Sequence, residues 1–391
     1  MSEWKEYKLG EIAEVTSAKR IFYSEYVPTG VPFYRSKEII DLYNKRNVAT
    51  ELFISEERFN EIKKKYGVPQ ENDILLTSVG SLGVPYIVTQ NDEFYFKDGN
   101  LTWIKSIDTK RLLPQYLRNW IISSIGKQKL DEITIGSTQP ALTITGLKSM
   151  TLFLPPIEDQ QRIAGVLSSL DDKIDLLNRE NVTLESLAET LFRHYFIENP
   201  DPTWKEGKLG DEFDFTMGQS PSGDSFNEDG IGIPMYQGNA DFGFRFPTRR
   251  VFTTAPTRFA DANDTLISVR APVGAQNMAT ERCCIGRGVA AFRYKHEKDY
   301  YSYTYYKLKS LLEEIKSFND NGTVFGSISK SDFENIDVVI PDKDSIVAFQ
   351  LQVMPFDEKI RNNHQQILAL STQRDILLSR LMSGEEAVEV Q

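Results

Sequence analysis

The sequence predicts a mixed α/β (α+β) fold in which two similar globular domains are separated by two long antiparallel helices. Three observations lead to this prediction: the chain repeats itself, each copy holds short β-rich runs between turn residues, and each copy ends in a long heptad pattern. The length of 391 residues also exceeds the usual size of one hydrophobic core. Two domains are therefore expected.

The two halves of the chain align in the same order, with an offset that falls from about 200 residues to about 186. The string WKEYKLG at residues 4–10 returns as WKEGKLG at residues 204–210. The closing block of each copy keeps one register through Pro155 and Pro341 and into the segment that follows. The repeated unit is therefore a domain followed by a tail.

Within each copy, β-rich runs such as Ile74 to Thr77 and Leu101 to Ile104 lie between Gly, Pro and Asn turns. Helical periodicity predicts helices over Glu56 to Tyr66, Pro114 to Lys129 and Tyr300 to Ser317. Strands and helices thus alternate irregularly, which is typical of a mixed α/β domain.

A heptad seam follows each domain, with apolar residues at alternating steps of four and three. The first seam predicts one helix from about Glu158 to Tyr195, spanning roughly 55 Å at about 1.5 Å per residue. The second is expected to kink or restart at Pro355 and to end at a C-cap formed by Gly384. Such helices suit the role of spacers.

One asparagine interrupts each seam, Asn181 in the first and Asn363 in the second. If the helices pair antiparallel about a pseudo-twofold axis, these amides fall in the same or adjacent layers and could satisfy one another. That contact would fix the helix register at some cost in stability. Alternatively, either asparagine simply lies on a wetter edge of an imperfect seam.

These patterns divide the chain into five predicted segments. They are a first domain, a first helix, a second domain, a second helix and a flexible C-terminal tail, over residues 1–156, 157–198, 199–342, 343–384 and 385–391.

Composition argues against several classes of protein. No run approaches the roughly 18 apolar residues of a membrane span, and the opening residues lack the apolar core of a signal peptide, so a cytoplasmic location is expected. The neighbouring Cys283 and Cys284 cannot join distant segments, and no second pair completes a metal site, so both are expected to serve packing.

Motifs for catalysis are missing from the sequence. No GxxxxGK[ST] phosphate loop and no Asn-Pro-Pro-aromatic string of amino-methyltransferases occurs, and the three histidines are not spaced as metal ligands. We therefore expect no catalytic residue and no metal on this chain. Any catalysis would come from a partner.

Several short motifs are spread across nearly the whole chain, among them the WKxxKLG domain openings, NDILL at residues 72–76 and GQSP at 218–221. Together they resemble the specificity subunit of type I restriction-modification enzymes. The strongest match is GSTQPALT at 136–143, followed by LPPIE at 154–158. The second closing block departs from the pattern and reads GTVFGSIS at 322–329.

The resemblance implies a non-catalytic subunit with two target-recognition domains, each reading half of a bipartite, asymmetric site in double-stranded DNA. The helices would set the spacer between the half-sites and dock two methyltransferase subunits, and restriction subunits would join for cleavage. S-adenosylmethionine, ATP and Mg would be bound by those partners, and this chain would bind no cofactor. A bacterial or archaeal cytoplasm is implied, with no membrane partner.

The side chains that suit DNA contact are lysine for phosphates, arginine for guanine or phosphates, and Asn or Gln for adenine. On this basis the predicted contacts are Lys19, Arg20, Arg35, Lys37, Gln219, Gln237, Asn239, Arg245, Arg249, Arg250 and Arg270. The aromatic residues Tyr34, Tyr236 and Phe242 could stack or wedge. The aromatic residues that follow Pro32 and Pro234 recur in both copies, however, which suits core packing better than sequence-specific contact. The net charge of -11 opposes a nucleic-acid partner unless the acidic residues lie away from the binding face.

Two other interpretations remain open from the sequence alone. A two-domain protein-interaction scaffold without DNA specificity would explain the repeat and the acidic charge, and salt-sensitive duplex binding would contradict it. An enzyme with a site dispersed across both domains would require turnover by this chain alone.

Overall fold

The structure, a computed structural model, describes residues 4–317 and 327–386. Its contacts divide into two compact units: a first unit formed by Met1–Asp175 with Leu368–Gln391, and a second unit formed by Leu176–Ile367. The division passes through both long helices, so each unit consists of one globular part and a segment of each helix. Residues 322–326 of the second closing block and 387–391 of the predicted tail lie outside the described residues.

The first unit combines short strands with helices. Its strands are β1 (Lys5–Lys8), β2 (Glu14–Thr16), β3 (Tyr26–Val27), β4 (Val31–Tyr34), β5 (Phe53–Ile54), β6 (Ile74–Thr77), β7 (Pro85–Ile87), β8 (Tyr95–Phe96), β9 (Leu101–Lys105), β10 (Thr134–Ile135), β11 (Ala141–Leu142) and β12 (Thr151–Leu154). Its helices are α1 (Leu9–Ile12), α2 (Ser36–Tyr43), α3 (Glu56–Lys65), α4 (Pro114–Ile122), α5 (Ser124–Ile133), α6 (Ile144–Ser149) and the first part of α7 (Ile157–Arg193).

Two sheets organise the first unit. One has the strand order β2-β9-β6-β7 and is antiparallel, and the other has the order β3-β5-β4-β8, in which β4 and β8 run parallel. All four residues of β6 are buried because this strand is covered on both faces. Leu167 of α7 and Leu381 near the chain's end are buried in the same core, which anchors both helices to the first sheet.

The second unit has corresponding elements. Its strands are β13 (Lys205–Lys208), β14 (Phe213–Met217), β15 (Phe226–Asn227), β16 (Ile233–Tyr236), β17 (Val251–Thr253), β18 (Phe259–Ala260), β19 (Thr265–Ser268), β20 (Gln276–Met278), β21 (Cys283–Ile285), β22 (Val289–Tyr294) and β23 (Asp337–Ile340). Its helices are α8 (Leu209–Glu212), α9 (Tyr301–Ser310), α10 (Leu312–Ser317), α11 (Lys330–Glu334), the rest of α7 and most of α12 (Lys343–Ser383).

The internal repeat predicted from sequence is confirmed by the strand order. The sheet β14-β22-β19-β20 repeats β2-β9-β6-β7, and the sheet β15-β17-β16-β21 repeats β3-β5-β4-β8 with β18 added next to β21. The copies differ after their fourth strand, where the first unit has α2 and the second has a short 3₁₀ turn over Asn239–Asp241. The mixed α/β class with two similar domains is therefore correct.

The helix predicted over Pro114 to Lys129 is two helices, α4 and α5. The side chain of Ser123 caps α5 by accepting a hydrogen bond from Gly126 N at 3.1 Å. A Cβ atom on Gly126 would lie 1.9 Å from the carbonyl oxygen of Trp120, so only glycine permits this close turn. The break between α4 and α5 therefore depends on a local capping motif, which apolar periodicity does not detect.

The long helices match the heptad prediction closely. Helix α7 ends at Arg193 and continues into a π-helical turn over His194–Glu198, and α12 ends before Gly384, whose φ of 74° fits a C-cap. Helix α12 passes through Pro355 without restarting, contrary to one of the two outcomes expected for that proline. Within the second unit the helices pair antiparallel, since Phe192 contacts Phe349 with ring centroids 5.5 Å apart while Asn181 contacts Asn363.

Helix α12 begins at a capping carboxylate. Asp342 Oδ1 accepts a hydrogen bond from Ser345 N at 2.9 Å, and Oδ2 accepts from Ser345 Oγ at 2.8 Å and from Trp204 Nε1 at 2.6 Å. The backbone bond from Ser345, together with the two side-chain bonds, lowers the pKa of Asp342 to about 2. The cap therefore joins the second domain's opening tryptophan to its helix.

We expect Asp342→Ala to lower the free energy of unfolding of the second unit by about 1 kcal/mol at neutral pH, because the cap is lost. The folded pKa lies below the unfolded value of about 3.9. The stabilisation by this carboxylate is therefore fully present above that value and is lost as the pH falls toward about 2. Urea unfolding followed by hydrogen exchange of second-unit peptides, between neutral pH and pH 2, measures the difference from the unaltered protein.

Asp342→Asn is the matched control, since it keeps an acceptor oxygen on the side chain but does not titrate. Its smaller loss of stability should not vary with pH. A destabilisation by Asp342→Ala that stays constant down to the lowest pH would contradict the assignment.

Candidate nucleic-acid interface

In the first unit, the segments after β2 and β4 converge on the turn that follows β8. Because β4 and β8 are parallel, their carboxyl ends lie at one edge of the sheet, where Lys97 N donates to Tyr34 O at 2.9 Å. From the segment after β2, Arg20 Nε pairs with Asp98 Oδ2 of the turn at 2.7 Å. The segment after β4 continues into Arg35 and α2. We call Lys19, Arg20, Arg35, Lys37 and residues 97–100 the first recognition surface.

The predicted residues of this surface differ in exposure and in whether they form an ion pair. Lys19, Arg20 and Lys37 are exposed, and Lys37 makes no ion pair within residues 4–317 and 327–386. The Arg35 guanidinium is 44% exposed, but its Nη2 lies 2.9 Å from Oε1 of the buried Glu38. Burial alone would raise the pKa of Glu38, but the hydrogen bonds from Arg35 outweigh it and the pKa lies below its usual value. Arg35 therefore offers only the outer part of its guanidinium to a ligand.

In the second unit the corresponding segments converge on the turn at residues 285–288, after β21. Gly286 N donates to Tyr236 O at 2.8 Å, and Gln219 N donates to Ile285 O at 3.0 Å. These contacts bring the segments after β14 and β16 to the edge where the parallel strands β16 and β21 end. The arrangement is the one seen at the first recognition surface.

Further segments reach the same turn. Ile285 N donates to Arg258 O at 3.0 Å, and Val269 N donates to Gly288 O at 2.9 Å, which places the segment leading to Arg270 beside it. The packing is so close that a Cβ atom on Gly288 would lie 2.2 Å from Gln237 O. Glycine is therefore required at position 288, where the segments that follow these strands meet.

The predicted residues of the second unit, apart from Arg245, are exposed around this turn. The second recognition surface, as we call it, comprises residues 285–288 with Gln219, Gln237, Asn239, Arg249, Arg250, Arg258 and Arg270. Two of its arginines hold carboxylates: Arg250 lies 2.6 Å from the buried Asp241, and Arg249 lies 2.5 Å from Glu281. Among the described residues, Arg258, Arg270 and Arg287 make no ion pair.

Arg245 does not belong to this surface, contrary to its prediction as a DNA contact. Its side chain is 2% exposed, with Nη1 3.1 Å from Asp357 Oδ1 and Nη2 3.3 Å from Glu185 Oε1. Its guanidinium also lies over the Tyr305 ring, 3.8 Å from the centroid. A buried charge needs such partners, and these come from α7, α9 and α12. Arg245 thus joins the loop after β16 to both long helices within the second unit.

The aromatic candidates are also not equivalent. Tyr236 is 1% exposed and belongs to a core cluster, so the packing alternative applies to it, and Tyr34 stacks on Phe94 at 4.6 Å. Two other rings, Phe22 and Tyr23, are exposed beside the first recognition surface without being sequence candidates. Comparison of the two copies could have found them, because the second copy has Ser222 and Gly223 there.

The seam asparagines contact one another inside the second unit. Asn363 is fully buried, and its Nδ2 donates to Asn181 Oδ1 at 2.8 Å and to Glu180 Oε2 at 2.8 Å. Of the two sequence-based alternatives, this geometry agrees with mutual satisfaction rather than a wet edge. Their role in fixing the register stays a prediction.

We expect Asn363→Leu to lower the free energy of unfolding by about 1–3 kcal/mol, because Asn181, itself 4% exposed, is left buried without its partner. The double change Asn181→Leu and Asn363→Leu removes both polar groups and should recover most of that loss. Denaturant titration of the full chain measures all three. A double variant as unstable as the single one would contradict the pairing.

No helix within the described residues is long and apolar enough to cross a membrane. No group of three or more His, Cys, Asp or Glu side chains in those residues is placed to hold a metal ion. Cys283 and Cys284 are both fully buried, and burial raises the pKa of the Cys283 thiol to about 12.

A family comparison bears on both recognition surfaces. The family model described as the type I restriction modification DNA specificity domain matches the chain twice, over residues 1–186 and 202–370. The chain belongs to the type I restriction-modification specificity family. Each match of the family domain contains one of the recognition surfaces and the start of one long helix.

Members of this specificity family align along nearly the whole chain. The putative type I restriction enzyme MjaX specificity subunit of Methanocaldococcus jannaschii is 27% identical over 99% of this chain and 94% of its own length. The type I restriction enzyme HindI specificity subunit of Haemophilus influenzae is 22% identical over 98% of this chain and its full length.

A solved structure from the specificity family has the same fold. The S subunit of a type I restriction-modification system from M. genitalium superposes with a TM-score of 0.60 at 17% sequence identity, covering 100% of this chain and 97% of that one. The two-domain architecture with long helices is thus shared at low sequence identity.

Proposed function

We propose that this chain is the DNA-recognition subunit of a type I restriction-modification complex, in which each unit reads one half of a bipartite, asymmetric site. The observation that carries the proposal is the repeated surface: both units bring the same three segments to the carboxyl ends of one parallel strand pair. The repeated match of the specificity-family domain supports it. A scaffold without DNA specificity would not need these converging polar loops.

The side chains at the two surfaces differ, which is what reading two sequences requires. Lysines prevail at the first surface, where Lys19 and Lys37 suit phosphate contacts. The second offers the amides of Gln219, Gln237 and Asn239, which suit adenine, and arginines that suit guanine or phosphate. The net charge of -11 does not by itself oppose this function, because binding depends on the local field of a surface, and Lys19, Lys37 and Arg270 are exposed where the loops converge.

The long helices offer surfaces for partner subunits. In the first unit, Leu368 and Ile376 of α12 are 55% and 49% exposed and line a groove of about 480 Å³ with Thr372 and Leu377. A contiguous patch of exposed apolar side chains on a protein surface typically marks a site of contact with another protein. We assign this face to one of two methyltransferase subunits, with restriction subunits joining the same complex.

The chemistry is assigned to those partners. S-adenosylmethionine for adenine methylation, and ATP with Mg for restriction, would be bound by the partner subunits, and this chain would act as a non-catalytic member in a bacterial or archaeal cytoplasm. Its contribution is the choice of site.

The proposal is tested by co-expressing the chain with the methyltransferase encoded beside its gene and mapping methylated adenines in the host genome at single-base resolution. The expected result is a motif of two short specified halves with a fixed unspecified spacer, which disappears when this chain is deleted. Methylation that persists unchanged without the chain would overturn the proposal and favour the scaffold.

A further inference from the structure

The most exposed aromatic pair in the described residues lies next to the first recognition surface. Phe22 and Tyr23 are 61% and 90% exposed, and they directly follow Lys19, Arg20 and Ile21. Tyr23 contributes little to the fold, since within the described residues its ring makes one aromatic contact, edge-on to Tyr26 with the ring centroids 6.1 Å apart. Two large apolar rings held in water at one turn are costly to solubility and typically mark an interaction site.

The turn that carries the rings is held firmly. Glu25 Oε2 accepts a hydrogen bond from Phe22 N at 2.8 Å, and Glu25 Oε1 lies 2.7 Å from Arg58 Nε. Arg58 is in the first turn of α3, where its own backbone N–H is capped by Ser55 Oγ at 3.1 Å. The backbone that carries the rings is therefore held in place before a ligand binds, which lowers the entropic cost of binding.

The surroundings of the turn are cationic. A groove of about 560 Å³ beside it is lined by four cations, one acid and one ring, which are Lys19, Arg58, Lys64, Lys65, Glu61 and Tyr66. The ammonium groups of Lys19 and Lys65 lie 5.6 Å and 5.3 Å from the centroid of the Tyr66 ring. A ligand that matches exposed rings flanked by cations has flat faces next to negative charges, and nucleic acid has both.

The second unit lacks this feature at the matching position. Its 3₁₀ turn over Gly223–Ser225 corresponds to the turn over Tyr23–Glu25, and Ser222 and Gly223 replace the two rings. The backbone is repeated, but at this turn the exposed rings are present in the first copy only.

We propose that Phe22 and Tyr23 form a wedge that stacks against bases of the first half-site and opens one base step there. The cations of the neighbouring groove hold the adjoining phosphates. The second unit has no ring at the matching turn, so unstacking by a wedge is confined to the first half-site. This inference rests on the proposed function and goes beyond it, because recognition by loop contacts alone requires no unstacking.

The test uses the chain assembled with its methyltransferase partner and a duplex that carries the mapped site. The fluorescent base 2-aminopurine, which brightens when it is unstacked, replaces adenines one at a time in each half, apart from the mapped methylation targets, which a methyltransferase itself turns out of the duplex. We expect an increase in the first half that is lost in the double variant Phe22→Ser and Tyr23→Gly, which copies the residues of the second unit. Affinity for the duplex should fall about tenfold or more in that variant.

Phe153→Ser is the matched control, because it removes a ring that is 53% exposed on β12. It should leave both fluorescence and affinity unchanged. Unchanged thermal unfolding of the double variant shows that the turn still folds, as expected for exposed side chains.

The outcomes are distinguishable. A fluorescence increase that survives in the double variant overturns the wedge and leaves the proposed function intact. Loss of the methyltransferase from the purified complex, with DNA contact otherwise unchanged, overturns it in favour of a protein contact at the rings. Failure of the unaltered complex to bind the duplex at all overturns the proposed function itself.

Discussion

Replacing Arg245 by methionine is expected to lower the free energy of unfolding of the second unit by about 3–5 kcal/mol. The guanidinium is 2% exposed and lies between the carboxylates of Glu185 and Asp357. Methionine fills much of the same volume but leaves the buried Asp357 without its cation, whereas Glu185 keeps Lys309 as a partner at 3.0 Å. The cost therefore arises from uncompensated charge rather than from a cavity.

The measurement is amide hydrogen exchange of the full chain, with the strands of the second unit as the reporters. Arg249→Met is the matched control, because it makes the same substitution four residues along the same loop at a guanidinium that is 58% exposed. Its ion pair with Glu281 should contribute no more than about 1 kcal/mol.

A second comparison separates charge from shape. The triple change Arg245→Met, Glu185→Leu and Asp357→Leu removes the whole buried cluster and is expected to recover much of the stability lost in the single variant. Lys309 keeps an acidic partner in Glu189. If Arg245→Met were as mild as Arg249→Met, the buried cluster would not hold the loop to the helices.

Reversing the charge of Arg258 and Arg287 together is expected to weaken duplex binding by a factor of about 100 or more, because two contacts are lost and repulsion replaces them. Both residues are exposed at the turn formed by residues 285–288, and neither makes an ion pair within the described residues. Their substitution by glutamate should therefore leave no buried acid unpaired. Stability should change little.

Fluorescence anisotropy of the assembled complex on its mapped duplex, at several salt concentrations, measures this effect. The dependence of log affinity on log salt should become shallower by roughly 0.9 for each phosphate contact removed. The double variant Lys205→Glu and Lys298→Glu is the control, since it makes the same charge change on β13 and beyond the far end of β22. If both double variants lost the same affinity for the duplex, binding would depend on the total charge of the protein rather than on the positions of Arg258 and Arg287.

The same variants give a test of half-site assignment. Methylation mapping with Arg258→Glu and Arg287→Glu should show relaxed or lost selection in one half of the motif while the other half is retained. Loss of selection in the half read by the first unit would contradict the placement of these residues.

The sequence by itself determined the repeat, the class of fold and the two long helices. These features depend on local patterns. In the heptad seam that ends near Tyr195, apolar residues recur every three or four positions, and this spacing places them on one face of a helix. The pairing of Asn181 with Asn363 could be anticipated for the same reason. Once two helices are taken to pair antiparallel along their seams, the position of each residue in its helix determines which residue lies opposite it.

Only the tertiary structure decided which polar side chains face outward. In sequence, Arg245 and Arg249 are two arginines of one loop, yet Arg245 is enclosed by acids from α7 and α12, which are distant along the chain. The meeting of Gln219, Gln237 and Arg258 at the turn after β21 likewise depends on strands paired across long separations. Burial depends on contacts between segments that are distant along the chain, and neither composition nor periodicity specifies those contacts.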